Sequence, residues 1–180
     1  LSITTPINAA IIMTSTPVLV LLAASILLRE KITTSKIIGI IFGITGALLI
    51  ILIGKDFSFG SATMPGDLMV FINASSYGVY LVAVKPLMKK YHPLTVIKWI
   101  FLFGFIMVLP FGFKQALEIE WSTMPTQALW AVAFVIICLT FLAYLFNSFA
   151  LSRVSPSTVS IYIYLQPILA SIFAIFWGVD

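Results

Sequence analysis

The stretch PINAAIIMTSTPVLVLLAASILLRE, residues 6–30, is almost wholly apolar, carries a proline at its centre and ends on a charged pair. About 20 apolar residues are what a helix needs to cross the hydrocarbon of a bilayer. Pro17 has no N–H to offer the Met13 carbonyl, and lipid holds no water to replace the lost bond. A helix-breaker at mid-membrane is tolerated where a neighbouring helix or a wet cavity receives the freed carbonyl. Arg29-Glu30 then marks the point where the chain returns to water.

The rest of the sequence agrees with a membrane setting. Hydrophobic residues make up 61% of the 180 positions and charged residues 9%, with a mean hydropathy of +1.15. A soluble chain of this length would need far more charge to cover its surface. The net charge of +4 is not gathered into a basic run that would follow a phosphate backbone, so no nucleic-acid partner is expected. Cys138 is the single cysteine, which excludes a disulfide within the chain and a multi-cysteine metal site. His92, the single histidine, lies in a Lys-rich loop, and no HExxH, GxGxxG or P-loop is present. No catalytic residue, cofactor or metal is expected. The chain starts at Leu1 and stops at Asp180 directly after an apolar run, and reads as an internal fragment.

Six apolar runs are long enough, or nearly so, to span: residues 7–28, 37–53, 67–88, 94–113, 128–149 and 157–178. None alternates apolar and polar residues as a membrane β-strand would. The expected fold class is an all-α polytopic membrane protein with six transmembrane helices. With six crossings the loops alternate between two sides. Arg29, Lys31, Lys36, Lys85, Lys89, Lys90, Lys98 and Arg153 fall on one, against Lys55 and Lys114 on the other. That asymmetry makes the first side cytoplasmic, so the first run enters from outside.

The two ends of the sequence repeat. Residues 1–30 and 151–180 align without a gap, with Leu, Ser, Pro, Ile, Pro, Leu and Ala recurring at positions 1, 2, 6, 11, 17, 19 and 24 of each copy. Pro17 falls on Pro167 and Glu30 on Asp180. The period covers five crossings, an odd number, so the copies run in opposite directions through the bilayer. Inverted repeats of this kind are typical of secondary transporters.

The pattern ALSRVSPSTVSIYIYLQPILASIFAIFWG, residues 150–178, resembles the ninth helix of the EamA family of the drug/metabolite transporter superfamily. A small-residue start, a central proline and a terminal acid recur there in helices four and nine. The first run, with Pro17 and Glu30, resembles helix four, and GIIFGITGALLIILIG, residues 39–54, resembles the glycine-rich helix five. The resemblance implies a chain covering helices four to nine of ten. Residues 1–53 would close the first EamA repeat, 54–66 would link the repeats, and 67–180 would form the second repeat without its last helix. It also implies a central cavity and alternating access, with a substrate that membership does not specify.

Candidate cavity residues follow from depth and spacing. Pro17 and Pro167 each lie eleventh in a 22-residue run, and paired interruptions point to a transporter's binding site. Thr158, Tyr162 and Gln166 are four apart and would share a face, with Asn8, Ile12 and Thr16 as counterparts. Asn73, Ser76, Tyr77 and Tyr80 line the third run, and Thr140, Tyr144 and Ser148 the fifth. The competing reading is packing, because Ser and Thr bond their own helix and Asn and Gln join helices. Lys85 lies near a span end, where its stem can snorkel to water. Gly39, Gly43 and Gly46 mark a helix-packing face, with dimerisation as a lesser use.

The function expected is a secondary transporter, an EamA-type permease or exporter of a small organic metabolite or drug. It would sit as a multi-pass protein in a bacterial-type inner membrane. Its partners would be the bilayer and the solute, with a homo-oligomer allowed. The alternative is a polytopic scaffold or receptor that moves nothing and would tolerate changes in the polar stripes.

Overall fold

We describe a computed structural model over residues 4–52, 63–119 and 121–177. Among the described residues there is no strand, and six helical spans are long and apolar enough to cross a membrane. The first is broken into α1 (Pro6–Met13) and α2 (Thr16–Leu27). Then come α3 (Thr34–Leu52), α4 (Met64–Lys90) and α5 (Pro93–Glu118). The fifth span starts as α6 (Thr126–Phe134), widens to a π-helical stretch over Val135–Leu142 and ends as α7 (Ala143–Arg153). The last is broken into α8 (Pro156–Ile161), a 3₁₀ turn at Tyr162–Tyr164 and α9 (Leu165–Trp177).

Large apolar side chains such as Phe42, Phe111 and Ile175 are 75–81% exposed. In water such surfaces would associate; in lipid they are solvated.

Three of the spans begin at a side-chain cap. Thr5 accepts a hydrogen bond from the Asn8 N–H (3.1 Å), and Ser155 accepts one from the Thr158 N–H (3.3 Å). Pro6 and Pro156 follow at the first helical position, where a missing N–H costs nothing. His92 and Pro93 repeat the device at α5, through Nδ1 and the Leu94 N–H. The first two caps stand 150 positions apart, at matching places in the two copies of the repeat.

The breaks match as well. Thr14 and Ser15 bond back with 3₁₀ character, from the Thr14 N–H to the Ile11 carbonyl (3.1 Å) and from the Ser15 N–H to the Ile12 carbonyl (3.0 Å). Their hydroxyls donate to the same two carbonyls, each at 2.6 Å. The 3₁₀ turn before Pro167 contains Ile163, whose carbonyl that proline cannot bond. Pro86 and Pro110, by contrast, lie inside the unbroken α4 and α5. Proline alone therefore does not interrupt a span in this chain.

By contacts the chain falls into two compact units, residues 1–85 with 154–180 and residues 86–153. In the first unit the most extensive helix contact is between α2 and α8. Val20, Ala24, Pro156, Ser157 and Ser160 are buried there. Gly78 lets α4 approach, since a Cβ on it would meet Val20 at 3.4 Å. In the second unit α5 packs on α7, and Phe101 makes ring contacts with Phe141 (6.3 Å) and Tyr144 (5.7 Å).

Candidate functional site

The two broken spans meet at a cavity. It has a volume of about 480 Å³ and lies wholly within the first unit. Met13 and Thr14, at the first break, line it together with Ile163 and Tyr164, at the second. These four are counterparts 150 positions apart. Met13 and Ile163 are the residues whose carbonyls the two prolines leave without an i+4 donor. Gln166, Pro167 and Ser171 add the α9 wall, and Ile50 and Ile51 close the α3 side.

The lining is mostly apolar, with a few polar groups placed among it, as organic-solute sites are. Thr14 and Ser171 have turned their hydroxyl protons onto Ile11 and Pro167 carbonyls (2.6 and 2.9 Å), so they face other groups as acceptors. The Gln166 amide is exposed. Among the described residues, no Lys, Arg, Asp or Glu lines it.

A second cavity, of about 350 Å³, lies beside the first against the α3 face, with Tyr164 and Ala47 lining both. The Tyr164 ring is seated in the gap left by Gly43, where an added Cβ would fall 2.1 Å from the ring. Gly39 faces Ile161 at 3.9 Å, and Gly46 has nothing within 4 Å. Of the three glycines the sequence singles out, Gly43 is thus the one on which a neighbour depends.

The other expected cavity residues are spread more widely. Gln166 and Pro167 line the larger cavity and Tyr162 the smaller one. Thr16 and Pro17 are buried within the packing of the first span. Asn8 is fully buried at the start of α1, donating from Nδ2 to Asp67 Oδ2 (3.3 Å), and Thr4 donates to the same carboxylate. Asn73 and Ser76 are exposed on α4, while Tyr77 and Tyr80 are half-buried with rings stacked at 6.0 Å. Tyr144 belongs to the second unit, and Thr140 donates to the Val135 carbonyl of its own helix (3.0 Å).

The expected shared face of Thr158, Tyr162 and Gln166 does not survive the break. A spacing of four keeps residues on one face only in a continuous α-helix. Here a 3₁₀ turn of three residues per turn intervenes, so Tyr162 points elsewhere and is 65% exposed. The same event brings Thr14 and Tyr164 to the cavity, two residues the spacing passes over. The signal for them is the pair of freed carbonyls, which names the turn just before each proline.

At the opposite end of the first unit stands a polar cluster. Arg29 adopts a left-handed φ of 51°, which lets α2 turn back on itself, and the Leu28 and Glu30 N–H groups both bond the Ala24 carbonyl (3.0 and 3.1 Å). Glu30 is thereby held against Lys36, with which it forms an ion pair, and its side chain is 14% exposed. Burial pushes its carboxyl up, but Lys36 and the Ser155 and Ser157 hydroxyls outweigh this, so its pKa lies below the ordinary value. Lys85 donates to the Val154 carbonyl (2.8 Å), just before α8. Its amine is thus tied at the span end where the sequence expects it to snorkel. Asp180 lies outside the described residues.

Comparison with known proteins fits this arrangement. The model of the EamA-like transporter family matches residues 1–52 and 64–179. An uncharacterized transporter of Archaeoglobus fulgidus is 27% identical over 98% of this chain and 60% of its own length. The transporter YyaM of Bacillus subtilis, also uncharacterized, is 25% identical over 97% of this chain and 57% of its own length. A protein named "Probable terminal-alkyne amino-acid exporter", from Streptantibioticus cattleyicolor, is 25% identical over 94% of this chain and 55% of its own. The chain therefore spans a little over half the length of these relatives. A solved crystal structure superposes with a TM-score of 0.80 at 20% identity, over 99% of this chain and 61% of that one, a likeness of fold. With six apolar spans, the matched breaks and a family match over nearly its full length, the chain is a multi-pass membrane protein that belongs to the EamA-like transporter family.

Proposed function

We propose that this chain forms the larger part of a secondary transporter, which carries a small organic solute across a bacterial-type inner membrane by alternating access. One observation carries the reading: the two proline-linked breaks face a single cavity near the middle of their spans. Broken helices at matched positions of two opposed repeats are how many transporters build a midplane site. The repeats would divide as 1–53 and 67–180 around the 54–66 link.

The cavity chemistry favours an amphipathic solute, held by apolar walls and oriented by Thr14, Gln166 and backbone carbonyls. The exporter named for an alkyne-bearing amino acid supports a solute of that size.

The test uses the full-length protein in proteoliposomes with a broad panel of labelled metabolites. Saturable flux of at least one solute is expected. Gln166→Ala should lower apparent affinity by roughly five- to tenfold, the loss of about one hydrogen bond, with membrane insertion unchanged. Absence of flux across the panel overturns the reading in favour of a scaffold.

A further inference from the structure

The two cavities of the first unit are separate, and one side chain keeps them so. The larger holds about 480 Å³ and the smaller about 350 Å³. Among the described residues, Tyr164 and Ala47 alone line both. Ala47 contributes a single methyl group and is 2% exposed. The partition is therefore the Tyr164 ring, which is 6% exposed.

Shape holds that ring in place. Gly43 leaves the hollow into which it fits, and a side chain at that position would collide with it. The phenol oxygen does not secure it: Tyr164 Oη is buried and makes no hydrogen bond among the described residues. A buried hydroxyl without a partner gives up its hydration for nothing. What the side chain contributes at this boundary is bulk.

The two sides of the partition differ in chemistry. Thr14 and Gln166 stand on the side of the larger cavity, whereas Phe42, Leu165 and Ile168 border the smaller one. We propose that Tyr164 is a specificity-determining residue of the solute site: its ring limits the size of the apolar part that a solute can carry, and Gly43 fixes the ring where it does so. Without the ring, about 350 Å³ of mostly apolar space would join the 480 Å³ already present. Sites for organic solutes run from about 300 to 1,000 Å³. Both the divided and the joined space fall in that range, so the partition selects between small and large members of one class.

This inference rests on the larger cavity being the solute site, yet its test reads binding and needs no flux. The full-length protein in lipid nanodiscs would be titrated with benzamide, 1-naphthamide and 1-pyrenecarboxamide, which share a primary amide and grow in ring size. Tyr164→Ala should raise the affinity for 1-pyrenecarboxamide relative to benzamide by about tenfold, the scale on which apolar pockets discriminate by size. Tyr164→Leu, which keeps more of the packing, should shift the ranking the same way by less. Tyr164→Phe retains the ring and should leave the ranking as in the wild type. General loosening would also admit bulk, and Gly46→Leu separates the two causes. A Cβ on Gly46 meets nothing within 4 Å, and this residue lines the smaller cavity. Added to Tyr164→Ala, it should refill the annexed space and return the ranking most of the way to wild type.

An unchanged ranking in Tyr164→Ala and Tyr164→Leu overturns the proposal. So does a shift that Gly46→Leu fails to reverse, an equal shift in Tyr164→Phe, or no binding of any probe to any form. A protein that binds in this graded way but moves no solute loses the transport reading and keeps the size limit. Saturable flux with the ranking unmoved does the opposite.

Discussion

Glu30 shows how one side chain reports on its surroundings. Burial raises its pKa, while Lys36, Ser155 and Ser157 lower it by more, leaving the folded value below the 4.5 of a free carboxyl. A carboxyl depressed on folding adds stability that is complete above its unfolded value and is lost as pH falls through the folded one. Thermal unfolding of the protein in detergent should therefore shift to lower temperature as pH drops below about 4.5. Glu30→Gln should flatten that part of the profile while lowering stability at neutral pH; an unaltered profile would remove Glu30 from the account. The charge of this residue and its place at a span end are plain in the sequence. Its partners on α8 are not, because they lie some 125 positions away and depend on the turn that Arg29 makes.

At the scale of the helix, the prolines are legible and their consequences only partly so. Their depth in the apolar runs points to interrupted spans, and both spans are interrupted. The shape of the interruption is another matter. A 3₁₀ turn changes the residues per turn, so side-chain faces cannot be counted through it, and Thr14 and Tyr164 join Gln166 at the larger cavity while Tyr162 lines the smaller one. The π-helical stretch in the fifth span has no proline or glycine to announce it. Pro17→Ala and Pro167→Ala should favour a continuous helix through each break and raise stability only modestly, by up to about 1 kcal/mol each, because each proline sits in the first turn of its helix, where the interior penalty does not apply. If the breaks serve the cavity, turnover in the flux assay falls even as the melting temperature rises. A variant that is both more stable and equally fast would make the prolines ornaments of packing.

For the molecule as a whole, composition and charge say most. Apolar runs give the number of spans, and the described helices begin or end within a few residues of those runs, except where α5 continues to Glu118 and carries Lys114 in its last turns. What the sequence leaves open is how side chains are shared out among neighbours, since lipid-facing and buried positions are equally oily. Asn8 illustrates this: a polar residue at the expected depth binds Asp67 instead of lining the cavity. The opposed repeats make a sharp statement about topology. Single cysteines at Glu30 and Asp180 should label from opposite faces of the membrane in the full-length protein. Labelling of both from one face would dissolve the repeat, and the transport reading with it.

The seat of Tyr164 reaches beyond any single experiment. Because a methyl group at position 43 would lie 2.1 Å from that ring, Gly43 cannot gain a side chain while the ring keeps its seat. Lineages that keep an aromatic at 164 must keep glycine at 43, and those that lose the ring are released to gain bulk there. The two sites should therefore vary as a linked pair across relatives, a trace that ancestry would preserve in a place where hydropathy records nothing.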